Sequence, residues 1–371
     1  MQSRALDHGR HVSVTTVEIS GRGYQYEARI GSGLLDQVGP TIAELLQPVR
    51  CALICDTNVA SVFAERAARS LTSAKVQPTL ITIPAGEESK SRAQVGLICD
   101  EMIDAGLDRQ SFVIGLGGGV VGDISGFVAA IFQRGIPHVQ IPTTLLAMVD
   151  SSIGGKCGVN TRAGKNLIGA IHQPSLVIDD VDLLQTLPPR ELRQGLAEII
   201  KHAIIADAEM FEQLSHVDLS ASPARTVDLV KRNVEIKARI VAKDERDETG
   251  ERAILNFGHT IGHAIERAGN YNTLAHGDAI SLGMIAAANI SVKRAGLAKE
   301  RRDAIVNLVR RFELPTKLPN EFSREEIFDA VAHDKKFESG AVRFVVTPKI
   351  GSAFLSRDVT LDDIRAAIEE L

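Results

Sequence analysis

The chain has 371 residues, 44% of them hydrophobic, which is ordinary for a folded globular protein and long enough for two domains with separate cores. Its 42 Lys and Arg against 47 Asp and Glu leave a net charge of −5, which argues against nucleic acid as a partner and requires any anion site to be local. The opening segment holds no signal-like apolar stretch and no uncharged apolar run reaches the roughly 18 residues of a membrane span, so a cytoplasmic protein with no membrane partner is expected. Cys51, Cys55, Cys99 and Cys157 lack CxxC spacing and fall mostly in apolar segments, so they read as buried thiols.

In chain order, VSVTTVEI (12–19) and YQYEARIG (24–31) alternate like the arms of a hairpin. Short apolar runs follow at CALICD (51–56), TLITIP (79–84), FVIGLG (112–117), HVQIP (138–142) and LVIDD (176–180), with helical stretches such as Asn58 to Lys75 and Ser89 to Ala105 between them. That alternation predicts parallel strands joined by crossover helices, a Rossmann-like α/β nucleotide-binding domain over residues 1–187. Beyond Pro188 and Pro189 come amphipathic segments at Arg190 to Ile205, Thr226 to Ala242, Ala253 to Ala268 and Asp278 to Ala295, which predict a mostly α-helical domain over 188–371. VRFVVTP and SAFLSR predict a late hairpin, and Leu361 to Leu371 a final helix.

Three clusters carry chemistry. In FVIGLGGGVVGDISGFVAA an apolar strand enters a glycine run that opens a helix; Gly117, Gly119 and Gly122 fit G-x-G-x-x-G, where backbone N–H groups can receive a pyrophosphate. The same glycines would also serve a tight turn with close helix packing, and no ribose-binding acid stands about 20 residues further on. Asp56, ending CALICD, is either a ribose ligand or a helix cap. From Arg134 to Asn166, the cations Arg134, Lys156 and Lys165 accompany Thr143, Thr144, Asp150 and the exposed backbone of Gly154 and Gly155; this is either a solvated loop or an anion site. In the helical half, Glu198, Lys201 and His202 lie at i, i+3 and i+4, and His259 and His263 lie four apart on one face. Glu198 and His259, with either His263 or His276, would give three ligands and an open position suited to catalytic zinc, with iron or cobalt as other occupants.

The ordered segments PAGEESKS, GLGGGVVGD, RGIPHVQIPTTLLAMVDSSIGGK, GKNLIGAIHQP, GLAEIIKH, LNFGHTIGHAIE, HGDA and HDKK resemble those of the 3-dehydroquinate synthase family, from about Gly31 to Pro348. The resemblance implies a dehydroquinate-synthase-like fold and conversion of 3-deoxy-D-arabino-heptulosonate 7-phosphate to 3-dehydroquinate and phosphate. The implied course is transient oxidation by NAD, phosphate elimination, return of the hydride, ring opening and intramolecular aldol closure. It also implies a metal, usually zinc, held by Glu198, His259 and His276, with His263 facing substrate. For NAD it points to Asp56, Glu87, Lys90, Gly118, Gly119, Asp123, Thr143, Thr144, Asp150, Lys156, Lys165, Leu183, Thr186 and Leu187. For the sugar phosphate it points to Asp150, Lys156, Asn166, Lys201, Lys237, Arg252, Asn256, His263 and one of Lys335 and Lys336. Arg134 is expected to reach the phosphate across a homodimer interface.

The chain departs from the family pattern at Cys157, where threonine is common, and at Met148, where glutamine is common. KDERDETGER (243–252) carries one residue more than the shortest versions. Two related readings share the scaffold, namely another sugar-phosphate cyclase and a metal-dependent polyol dehydrogenase. The retained Asn256 and His263 oppose the first, and the surplus of cations opposes the second.

Overall fold

Two strand types expected from the patterning build one sheet in the first half of the chain. The structure, a computed structural model, describes residues 14–46, 50–216, 223–270, 273–332, 337–338 and 341–371. The alternating segments form the antiparallel hairpin β1 (Val14–Gly21) and β2 (Tyr24–Gly31), with Val14 opposite Gly31 and Gly21 opposite Tyr24. The unbroken apolar runs form β3 (Arg50–Asp56), β4 (Gln77–Ile83), β5 (Phe112–Gly117) and β6 (His138–Pro142). A separate hairpin follows, β7 (Lys156–Thr161) with β8 (Gly164–Ile171), before β9 (Leu176–Asp180) rejoins the sheet. The sheet order is β1-β2-β9-β6-β5-β3-β4, parallel throughout except for β1 with β2.

Helices α1 (Val38–Leu46), α2 (Thr57–Val59), α3 (Glu65–Ser73), α4 (Arg92–Asp104) and α5 (Gly119–Ile131) cover the sheet, α2 passing through a π-type turn at Ala60–Ala64 into α3. Along β3, Cys51, Leu53 and Cys55 enter a core with Phe63 and Leu71, while Ala52 and Ile54 enter another with Val95 and Ile98. Burial on both faces is why CALICD reads as continuous apolar sequence and not as alternation. From β3 the chain goes outward to the edge strand β4 and then returns to place β5 on the other side of β3. The crevice beyond the carboxyl ends of β3 and β5 is therefore the switch point of the sheet, the place where such folds bind ligands.

The second half comprises α6 (Pro189–Ala206), α7 (Ala208–Leu214), α8 (Pro223–Lys243), α9 (His259–Ala268), α10 (His276–Arg294), α11 (Lys299–Arg311), α12 (Arg324–Ala332) and α13 (Leu361–Glu369). Two short antiparallel pairs accompany them: β10 (Phe337–Glu338) with β11 (Ala341–Val342), and β12 (Phe344–Lys349) with β13 (Ser352–Ser356). None of the helices among the described residues is long and apolar enough to cross a membrane. One core crosses the expected boundary at 187/188: Val17, Ile19, Ala28 and Ile30 of the hairpin pack with Ile199 and Ile200 of α6 and Val230, Val234 and Val241 of α8. Each valine or isoleucine withdrawn from water contributes roughly 1.5–3 kcal/mol, so apolar contact holds the two halves together.

Two expectations are corrected. The stretch Ala253 to Ala268 is not one helix: a 3₁₀ turn (Arg252–Asn256) ends, Gly258 adopts φ 81°, and α9 starts afresh at His259. The cause is close passage of α10, since a Cβ on Gly258 would lie 2.7 Å from Met284 atoms. The segment around Lys156 to Asn166 is not a solvated loop but the β7–β8 hairpin. The four cysteines are unpaired, Cys51 and Cys55 buried and Cys99 and Cys157 half-buried, as expected.

On β9 the two acids face opposite ways. Asp180 accepts N–H groups from Gly33 (2.9 Å) and Leu35 (2.8 Å), whereas the buried Asp179 has no hydrogen-bond partner on either oxygen. Asp179 shares its face with Val177 and Val181 in the core between the halves, and burial raises its carboxyl well above the usual value. A raised folded-state pKa means stability is intact below the unfolded carboxylate value, about 3.9, and declines as pH rises toward the folded value. Asp179→Val should therefore raise Tm, by at least about 2 °C at neutral pH. In calorimetric scans the gap from the wild type should widen between pH 5 and pH 8; a gap that is constant or narrows with pH would contradict a neutral buried acid.

Candidate active site

α6 carries charge into an apolar environment. Ile199, Ile200, Ala203 and Ile204 are buried, and so are Glu198, Lys201 and His202 on the same helix. A buried charge persists only if partners meet it, and here they come from the first residues of two other helices. His259 opens α9 and His276 opens α10; their Nε2 atoms lie 3.6 Å and 3.4 Å from Glu198 Oε1. Lys201 Nζ contacts Glu198 Oε2. Even so, neither carboxylate oxygen has a hydrogen-bond partner of good geometry, which is the state of a ligand set prepared for a cation. The three groups bring one ligand atom each within 4.8 Å of one another.

The other ring nitrogens are held from behind. His259 Nδ1 lies 3.2 Å from the Phe257 carbonyl, and His276 Nδ1 lies 3.4 Å from Glu266 Oε2; such partners fix the tautomer and leave Nε2 for the metal. Burial acts to raise the Glu198 carboxyl, but Lys201, His259 and His276 outweigh it and hold the group well below its usual range. Burial and then Lys201 keep His259 neutral. Burial also opposes a charge on His276, yet Glu198 and Glu266 raise it to about 9, so a metal entering here displaces a proton.

Two other triplets meet the same spacing, His263–Glu266–His276 and Asp150–Glu198–His202. In the second the Asp150 carboxylate is already paired with Lys237, whose Nζ lies 2.8 Å from Oδ1, while Asn233 Oδ1 lies 2.9 Å from His202 Nδ1. His263 sits one turn after His259, its ring 5.1 Å away, but is about half exposed and faces the cleft, with Nε2 3.9 Å from Glu266. The four-residue spacing correctly placed the two histidines on one side without saying which meets Glu198.

Beside this centre runs a row of cations, each matched by an oxygen. The Lys237 ammonium is buried and reaches both the Asp150 carboxylate and, at 2.6 Å, its carbonyl. Burial would raise Asp150, but Lys237 and Lys201 hold it below the usual carboxylate range. Arg252 is buried against the carbonyls of Glu245 (2.5 Å) and Gly154 (3.3 Å), and Lys156 pairs with Asp247 at 2.8 Å. Asn256, ending the 3₁₀ turn, is half-buried.

A cleft of about 1480 Å³ extends from His263 and His276 to the switch point of the sheet. Gly118 and Gly119 line it where α5 begins, and no side chain caps that helix. Its N–H groups are thus available to a phosphate, as the residues of a dinucleotide site require. Gly122 has a different role, since a Cβ there would lie 2.8 Å from Gln140 Oε1. Asp56 is a helix cap, its Oδ1 accepting from Asn58 and Val59 at 2.9 Å, and it also lines the cleft.

Further along the wall, Lys90 contacts Asp123, and Glu87 accepts from Asn160 Nδ2 at 2.6 Å. Lys165 Nζ lies 3.2 Å from Glu266 Oε1. Thr143, Thr144, Asp150, Asn166, Thr186 and Leu187 complete the lining named from the sequence. Leu183 lies beneath it in the core, its carbonyl accepting the Thr186 hydroxyl at 3.1 Å. Arg134 is exposed and outside this chain's cleft, and Lys335 and Lys336 fall outside the described residues.

Two acids escaped the sequence reading. Glu266 is seven residues after His259 and three after His263, a helical spacing that signals a shared face. Asp244 gave no signal: its carboxylate gathers the N–H groups of Glu248 (2.8 Å), Thr249 (3.3 Å), Gly250 (2.9 Å) and Arg252 (3.3 Å), closing the loop that brings Asp247 to Lys156 and Glu245 to Arg252.

The fold is that of the sugar-phosphate cyclases. A 2-deoxy-scyllo-inosose synthase complexed with carbaglucose-6-phosphate, NAD+ and Co2+ superposes with a TM-score of 0.88 at 26% identity, over 96% of this chain and 100% of that one. The 2-epi-5-epi-valiolone synthase of Streptomyces hygroscopicus subsp. jinggangensis, with NAD+ and Zn2+ bound, gives 0.85 at 31% identity over 95% and 98%. The family models for the N-terminal and C-terminal parts of 3-dehydroquinate synthase match residues 80–194 and 195–337. The 3-dehydroquinate synthase of Symbiobacterium thermophilum is 45% identical over 94% of this chain and 98% of its own length. The chain belongs to the 3-dehydroquinate synthase family and is an enzyme, a lyase-type cyclase.

Removing the Asp244 carboxylate should release this loop specifically. In Asp244→Ala, hydrogen exchange at the amides of 248, 249, 250 and 252 should quicken by at least about tenfold, the equivalent of about 1.4 kcal/mol, while α9 amides keep their protection. Unchanged exchange at those four positions would contradict the role assigned to Asp244.

Proposed function

We propose that this chain converts 3-deoxy-D-arabino-heptulosonate 7-phosphate to 3-dehydroquinate and phosphate, using NAD as a recycled cofactor and a divalent metal, zinc or cobalt, held by Glu198, His259 and His276. The observation that carries the proposal is the buried Glu198 carboxylate, contacted by Lys201 on one oxygen and faced on the other by the Nε2 atoms of His259 and of His276, which lines a cleft that leads to the α5 N-terminus. The bound groups in the two cyclase structures, NAD+ with Co2+ or Zn2+, support the same assignment here.

When bound, NAD supplies a hydride acceptor that is later restored, and the metal supplies Lewis acidity toward the substrate hydroxyls. The chain's own residues do the positioning. Gly118 and Gly119 admit the pyrophosphate to the α5 amides, and Asp56, Glu87, Lys90, Asp123, Thr143, Thr144, Lys165, Leu183, Thr186 and Leu187 form the rest of the nucleotide wall. Lys156, Lys201, Lys237 and Arg252 offset the phosphate and carboxylate of the substrate, with Asp150 orienting Lys237 and Glu198 orienting Lys201. Asn166, Asn256 and His263 Nε2 offer hydrogen bonds to its hydroxyls, and one of Lys335 and Lys336 adds a further cation. A substrate bearing two anionic groups would account for so many cations gathered beside Asp150, which itself lines the cleft.

Arg134 is assigned to the cleft of a second copy. It projects from a turn in which Gln133, Arg134 and Gly135 all have positive φ (50°, 70° and 119°), exposed and away from its own site. The working unit is accordingly a homodimer in the cytoplasm, with residues 1–187 as the NAD domain and 188–371 as the metal and substrate domain.

Purified protein given heptulosonate phosphate, catalytic NAD and zinc should release phosphate and form 3-dehydroquinate without stoichiometric NADH, and a chelator should abolish the activity. Accumulating NADH with no phosphate released would point to a polyol dehydrogenase instead. By metal analysis, His276→Ala should lose bound zinc, whereas His263→Ala should keep it and turn over more slowly, by about 10²-fold or more if its contact acts in the transition state. Equal loss of zinc in both variants would overturn the ligand set.

A further inference from the structure

Glu266 reaches both sides of the cleft from one buried position. It lies on α9 with its side chain 5% exposed; Oε2 is 3.4 Å from His276 Nδ1 and 3.9 Å from His263 Nε2, while Oε1 is 3.2 Å from Lys165 Nζ. His276 belongs to the metal centre and opens α10, whereas Lys165 belongs to β8, in the hairpin that helps to line the nucleotide side. One carboxylate thus bridges two elements far apart in sequence. A buried carboxylate flanked by an imidazole and an ammonium is retained only while both stay in place, so each partner constrains the other.

We infer that Glu266 is a positioning residue that orients His276 for the metal through Oε2 and anchors Lys165 on the nucleotide side through Oε1. The inference rests on the metal site proposed above. A carboxylate behind a ligating imidazole fixes which nitrogen carries the proton, holds the ring against rotation and raises its basicity as a ligand; losing such a partner typically weakens metal binding about 10–100-fold. Through Oε1 the same residue ties the β7–β8 hairpin to α9, so the nucleotide wall and the metal centre share one anchor. Glutamine at 266 keeps the shape but loses the charge and puts an N–H donor where one of the two accepting oxygens stood, and alanine removes both contacts.

The test is Co²⁺ titration of metal-free wild type, Glu266→Gln, Glu266→Ala and His276→Ala, followed by the visible absorption of the bound ion, with NAD affinity measured separately on the metal-free proteins. Glu266→Gln should bind Co²⁺ about 10–100-fold more weakly than wild type and with shifted bands, while its metal-free Tm stays close to wild type. Glu266→Ala should in addition bind NAD more weakly. Wild-type Co²⁺ affinity and band positions in Glu266→Gln would overturn the His276 half, and wild-type NAD affinity in Glu266→Ala would overturn the Lys165 half. If His276→Ala itself binds Co²⁺ as wild type does, the metal site fails and not merely this inference.

Discussion

The architecture of the site follows from one buried carboxylate. Glu198 lies on a helix whose neighbouring side chains are aliphatic, in a core that could have been closed with leucine. Leaving a lone carboxylate there would cost several kcal/mol, so the fold must deliver positive or metal-ready groups to it. Lys201 from the same helix meets one oxygen, and the imidazoles of His259 and His276 approach the other.

Delivery depends on where two helices begin. Gly258 takes a left-handed turn under the pressure of α10, which starts α9 at His259, and α10 itself starts at His276. Both imidazoles are thereby set by helix boundaries in a packed core. The hairpin β1–β2 packs on α6 and α8, joining this centre to the sheet whose switch point opens the other end of the cleft. The uncapped amides of α5 and the His276 side chain thus line a single cleft, as a dinucleotide site beside a metal site would require.

Much of this was legible in the sequence, for identifiable reasons. Parallel strands buried on both faces leave unbroken apolar runs, and the first-half strands were found from them. Amphipathic periodicity located α6, α8 and α10 within a few residues of their ends. Periodicity could not reveal the break at Gly258, because the apolar pattern continues across it while the interruption is imposed by Met284 from another helix. The β7–β8 hairpin was hidden because its glycines and charges look like a loop. Four-residue spacing grouped His259 with His263, but choosing between His263 and His276 needs the position of α10, which is tertiary information; only the resemblance to known relatives supplied it. Asp56 was ambiguous because a cap and a ligand use the same residue type in the same place. Glu266 shares a helical spacing with His259 and His263, but its partner Lys165 lies 101 residues away in sequence, and Asp244 acts on backbone amides within eight residues, which leaves no periodic trace.

The central claim is that Glu198, His259 and His276 together hold a divalent cation, with His263 left for the substrate. Crystals of the protein with Co²⁺ and NAD, measured at the cobalt absorption edge, test it most directly. An anomalous peak within about 2.0–2.2 Å of Glu198 Oε1, His259 Nε2 and His276 Nε2, with His263 unbonded, is the result this account predicts. A peak bonded to His263 in place of His259 or His276, or fully loaded cobalt away from Glu198, would contradict it.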